Sequence, residues 1–113
     1  MKKGDIVLIN FPFSDLKGSK IRPAVILIVT ESEIVLLFIT TQLKWKLQFD
    51  LELIPNLSNN LKKNSLLRLS KITSVDKSLI LGKIGELTHN EIVALNKNLI
   101  QIFELHQQIK PHK

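Results

Sequence analysis

The side chains able to do chemistry are few, and their types narrow what the chain can be. Its three histidines, His89, His106 and His112, fall late in the sequence and show no H-E-x-x-H or comparable metal-ligand spacing. The simplest reading makes His89 a first-turn helix residue and His106 the edge of a helical stripe. The absence of cysteine excludes disulfide frameworks, thiolate zinc sites and cysteine nucleophiles. Neither a G-x-S-x-G elbow nor a Walker-type or dinucleotide glycine loop is present, so Gly18, Gly82 and Gly85 read as turn or bulge residues. No metal and no cofactor is expected.

Cations are plentiful by contrast. Sixteen Lys and Arg against ten Asp and Glu give a net charge of +6, which favours nucleic acid or an acidic protein as partner. Fourteen of the sixteen are lysines; only Arg22 and Arg68 are arginines. A guanidinium presents a planar fork that fits two phosphate oxygens, whereas an ammonium is a point charge. Arg68 lies in a short apolar stretch, where an ion pair with Asp5, Asp76 or Glu86 is favoured over contact with a nucleic acid. Lys44-Trp45-Lys46 sets a ring between two cations. It can stack a base while the lysines hold phosphates, or it can anchor the edge of the β structure with the lysines reaching solvent.

These residues must be positioned by a chain of 113 residues, 44% hydrophobic and 23% charged, which suffices for one domain over 1–113 with a core of its own. The longest apolar runs, Ala24 to Val29 and Ile34 to Ile39, are six residues each, far short of the ~18 needed to cross a bilayer. Met1-Lys2-Lys3-Gly4-Asp5 leads into no signal-like apolar region, so the expectation is an unprocessed, cytoplasmic protein without membrane contact.

The first half reads as strands. Gly4 to Phe11 is β-branched and apolar and closed by Pro12; Pro12 to Ile21 has the composition of a surface loop. Arg22 to Thr30 and Glu33 to Thr41 flank Glu31-Ser32 as a tight hairpin. Leu47 to Ile54 alternates, with Leu47, Phe49, Leu51 and Leu53 on one face and Gln48, Asp50 and Glu52 on the other, which predicts a half-buried strand. Pro55 to Lys63 is a loop; Ser65 to Leu69 and Leu79 to Ile84 are further strands. Thr88 and Glu91 then form a capping box inside a Leu87/Ile92 staple. Ile92, Leu95, Leu99, Ile102, Phe103 and His106 continue as a helical stripe, which predicts a helix to about Ile109, roughly 33 Å long. The class is mainly β with a C-terminal α-helix packed across a curved sheet or small barrel.

Residues 4–28, GDIVLINFPFSDLKGSKIRPAVILI, set a Gly-Asp-Ile strand before a loop and then Arg-Pro at the head of an apolar strand. Phe38-Ile39-Thr40-Thr41-Gln42 follows, then the block Ser65 to Asp76 and Gly82-Lys83-Ile84-Gly85-Glu86-Leu87 before the helix. In order and spacing this series resembles the MazF/PemK family of type II toxin-antitoxin toxins over nearly the whole chain. The resemblance implies an SH3-like β-barrel of the MazF/PemK/CcdB type and a homodimer with single-stranded RNA along its interface. It further implies metal-independent endoribonuclease activity and a cognate antitoxin that occludes the same groove.

Carried over by position, the resemblance makes Arg22 and Thr40 the catalytic pair. Thr41 offers a second register, but Thr40 leaves Gln42 two residues later, as in the family's Ile-Thr-x-Gln. RNA is cleaved when its own 2′-hydroxyl attacks the neighbouring phosphorus, so an enzyme need only align the backbone and stabilise the phosphorane. Arg22 would clamp the phosphate and Thr40 would hold it or the 2′-hydroxyl by hydrogen bonding. Lys17, Ser19 and Lys20, then Thr41, Gln42, Lys44, Trp45 and Lys46, are the further RNA-binding candidates. The basic balance predicts an acidic antitoxin. The alternatives are a CcdB-like poison of DNA gyrase, because fold does not fix function, and an inactive relative that only binds the antitoxin.

Overall fold

The computed structural model describes residues 1–12 and 18–105. Lys17, His106 and His112 lie outside the described residues. Six strands, β1 (Asp5–Pro12), β2 (Ser19–Val29), β3 (Glu33–Thr40), β4 (Leu51–Leu53), β5 (Ser65–Asp76) and β6 (Ile80–Glu86), precede one helix, α1 (His89–Ile102). All pairings are antiparallel, in the order β4-β5-β3-β2-β1-β6.

The apolar runs of β2 and β3 have a direct cause over Ala24 to Leu27 and Ile34 to Ile39, where the sheet is covered on both faces, whereas Ile28 and Val29 at the end of β2 are exposed. Ile6, Val25, Leu37 and Leu67 face the side covered by the helix, where Leu95 is fully buried and Ile92, Leu99 and Ile102 pack against them. Val7, Ala24, Ile26 and Leu36 face the other side, where Phe11 and Phe38 meet edge to face with ring centroids 5.3 Å apart.

The ladder stops short of a closed barrel, with β4 and β6 as its edges. Side chains and loop backbone join them instead. The segment after β4 rests on β6: the Glu86 N–H donates to the Ser58 carbonyl at 3.0 Å, Ser58 Oγ donates to the Glu86 carbonyl at 2.8 Å, and Asn60 Nδ2 donates to the Ile84 carbonyl at 3.0 Å. Gly85 permits this approach, since a Cβ there would lie 2.6 Å from the Asn59 carbonyl oxygen. Asn59, fully buried, is the loop's hub. Its Oδ1 accepts the N–H groups of Asn56 and Leu61, while its Nδ2 donates to the Ile54 carbonyl and to Glu91.

The capping box forms as expected: Thr88 Oγ1 accepts the Glu91 N–H at 3.1 Å and Glu91 Oε1 accepts the Thr88 N–H at 2.8 Å. Three other expectations need correction. The helix ends at Ile102, not near Ile109, because Glu104 turns left-handed (φ 57°) and the N–H groups of Leu105 and Glu104 close back on the carbonyls of Ile100 and Gln101. That Schellman arrangement normally signals itself by glycine. The strand expected over Leu47 to Ile54 shrinks to Leu51–Leu53, since Asp50 Oδ2 accepts the Leu47 N–H and folds 47–50 into a turn. Strand β5 runs on to Asp76, its polar half held by pairing with β3.

Candidate active site

Arg22 lies on β2 opposite Ile9 of β1. On the other side, β2 and β3 pair as far as Ala24↔Phe38, next to Pro23, which has no N–H to give a ladder. Carried two residues further, that register sets Arg22 level with Thr40 where the strands part. Both residues line one cleft of about 680 Å³, together with Lys20 of β2, Trp45, and Asn60, Lys62 and Lys63 of the loop clamped on β6. The cleft therefore opens where a pair of strands separates and a rigid loop crosses the gap.

Thr40 is fixed by its pairing with Leu66 of β5. Its Oγ1 accepts the Gln42 N–H at 3.1 Å, so the hydroxyl proton points to a different acceptor. Thr41 and Gln42 follow as exposed residues on the same cleft. Four cations, Lys20, Arg22, Lys62 and Lys63, line it, and among the described residues no carboxylate or histidine does. No ion pair ties Arg22 to a described carboxylate.

The other sequence candidates divide. Ser19 and Lys44 are exposed but do not line the cleft, and Lys46 stands 3.6 Å from Glu52. Lys17 lies outside the described residues. Trp45 is half exposed and lines the cleft. Arg68 forms a structural pair, but with none of the three expected acids. Its Nε donates to Asp50 Oδ2 at 3.1 Å, and the pair is buried with Asp50 fully covered.

Sequence reasoning missed Asn60, Lys62 and Lys63. The available signals were the adjacent lysines in an asparagine-rich loop and Asn60 itself, which takes the left-handed conformation (φ 58°) that asparagine tolerates. Their arrival at the cleft depends on Gly85, more than twenty residues downstream.

A second charged group lies on the first turn of the chain and the end of β6. Lys2 Nζ is 2.9 Å from both Asp5 and Glu86, and Lys83 is 3.2 Å from Asp5. Burial pushes the Asp5 carboxyl up, but hydrogen bonds from Lys2 and Lys83 outweigh it and hold the group below its ordinary value. Hydrogen bonds to Glu86 and Asp5 raise the Lys2 ammonium correspondingly. Among the described residues no cluster of three His, Cys, Asp or Glu is arranged to hold a metal ion. None of their helices is long and apolar enough to cross a membrane.

A comparison with protein families matches residues 2–103 to the model for PemK-like, MazF-like toxins of type II toxin-antitoxin systems. No curated protein matches the chain.

Proposed function

The chain belongs to the PemK-like, MazF-like toxins of type II toxin-antitoxin systems, and from that premise we propose that it is an endoribonuclease acting on single-stranded RNA without a metal ion. Membership in the family implies an antitoxin as partner. The observation that carries the enzymatic reading is that Arg22 and Thr40 line the same cleft as Lys20, Lys62 and Lys63.

The chemistry needs little else. The 2′-oxygen gives its proton to solvent water and bonds to phosphorus, the bond to the 5′-oxygen breaks as that oxygen takes a proton from water to leave as the 5′-hydroxyl, and negative charge grows on the non-bridging oxygens between those events. Arg22 meets that charge with a planar fork of donors that matches two phosphate oxygens. Thr40 donates its hydroxyl proton to the same phosphate and holds it in line. Lys20, Lys62 and Lys63 bring the strand in by charge alone, which makes binding salt-sensitive. With no described carboxylate or histidine on the cleft, its contribution is alignment and charge.

The same reading makes the active form a cytoplasmic homodimer and the antitoxin an acidic chain whose carboxylates occupy the places of RNA phosphates. The test is cleavage of single-stranded RNA in excess EDTA. The expected products carry a 2′,3′-cyclic phosphate or 3′-phosphate and a 5′-hydroxyl. RNA left intact, or cleaved only when divalent metal is restored, overturns the reading.

A further inference from the structure

Trp45 stands at the end of a single 3-10 turn, Leu43–Trp45, that leaves β3 directly after Thr40 and Thr41. The chain just after the turn is tied down. Asp50, its side chain fully covered, accepts the Leu47 N–H at 3.0 Å, the Ser70 N–H at 3.3 Å and Arg68 Nε at 3.1 Å. The guanidinium carbon of Arg68 then lies 6.0 Å from the centre of the Trp45 ring. A cation at that distance over a ring face is attractive. Trp45 belongs to neither hydrophobic cluster, half of it remains exposed, and it lines the cleft that holds Arg22 and Thr40.

A ring braced on one side and open on the other, in a cation-lined cleft, meets the requirements for stacking a nucleobase. We propose that Trp45 is the base platform of the RNA site and that Arg68 and Asp50 are its positioning residues. The proposal rests on the ribonuclease reading and extends it from the phosphate to the base. The phosphate contacts next to the platform come from Lys62 and Lys63 on the loop, in place of Lys44 and Lys46, which flank Trp45 in sequence but do not line the cleft. Stacking on a flat indole is tolerant of base identity, so Trp45 supplies affinity and register rather than a sequence code.

The chain contains one tryptophan and no tyrosine, so its emission reports on Trp45 alone. The experiment titrates the full chain with an uncleavable 2′-O-methyl RNA oligonucleotide carrying a fluorescent label, and with an abasic strand of equal length and charge. Anisotropy of the label reads binding, and tryptophan emission reads stacking. The oligonucleotide should bind and quench Trp45. The abasic strand should bind about tenfold more weakly and leave emission unchanged. Trp45→Phe should keep the preference for bases and Trp45→Ala should abolish it. Arg68→Lys keeps a cation beside Asp50 but loses the planar face. It should weaken quenching and base preference while leaving abasic binding unchanged, whereas a purely structural role would lower both kinds of binding together. Binding without a change in emission, or wild-type base preference in Trp45→Ala, overturns the platform and leaves the ribonuclease reading standing. Failure of both strands to bind overturns both.

Discussion

The Asn59 side-chain amide donates to Glu91 Oε2 at 2.9 Å across 32 positions of sequence, while the other oxygen of the same carboxylate caps the helix at the Thr88 N–H. One side chain thus fixes both the start of α1 and the loop that delivers Lys62 and Lys63 to the cleft. Removing the cap alone by Thr88→Ala should cost about 1 kcal/mol. Glu91→Ala also strands a buried amide hydrogen and should cost about 2–3 kcal/mol. Urea unfolding of the two variants checks the difference; equal losses would mean that Glu91 acts only as a cap.

The two glycines of β6 should respond oppositely to alanine. Gly85→Ala drives a methyl into the backbone of Ser58 and Asn59, at 2.8 and 2.6 Å, and should lose about 1–3 kcal/mol. Gly82 has nothing within 4 Å of the corresponding position, so Gly82→Ala should stay within about 0.5 kcal/mol. Paired thermal melts decide it.

Where the sequence was informative, the relevant contacts were local or belonged to a motif. Thr88 and Glu91 are three residues apart, so the capping box can be read directly, and the Arg22-Pro23 step and Thr40 stand out by type and order. Asp50 misled because alternation assigns it to solvent, whereas a buried arginine 18 positions away draws it inward. The helix end was illegible because a glutamate, not a glycine, takes the left-handed position. Lys62 and Lys63 were missed for a different reason: nothing near them in sequence says that their loop crosses to β6.

Acid should remove the support that Asp5 gives. Its carboxyl titrates below its ordinary value of 3.8 in the fold, so its contribution is present above that value and is lost as pH falls through the lowered one. Stability measured by urea should therefore drop below about pH 4, and Asp5→Asn should flatten that limb while starting from a lower plateau. An unchanged acid limb in Asp5→Asn would show that other carboxylates govern it.

Arg22→Ala should lower the rate of RNA cleavage by on the order of 10² or more, as for a preorganised donor to developing charge, with melting near that of the parent. Thr40→Val should lose about tenfold or more, the worth of one hydrogen bond to a charged group. Thr41→Val should change little, since Thr40 is the residue held in the ladder with its proton free of the Gln42 contact. Single-turnover rates on one labelled RNA compare all three.

In the proposed reaction the RNA attacks itself while Arg22 and Thr40 hold its phosphate. The most direct measurement compares an end-labelled RNA with the same strand carrying one 2′-deoxy ribose at the cleaved position, both in EDTA. The all-ribose strand should be cut at that position and the deoxy strand should survive there. Cleavage of the deoxy strand at the same bond would contradict the account, because the attacking oxygen would then come from elsewhere.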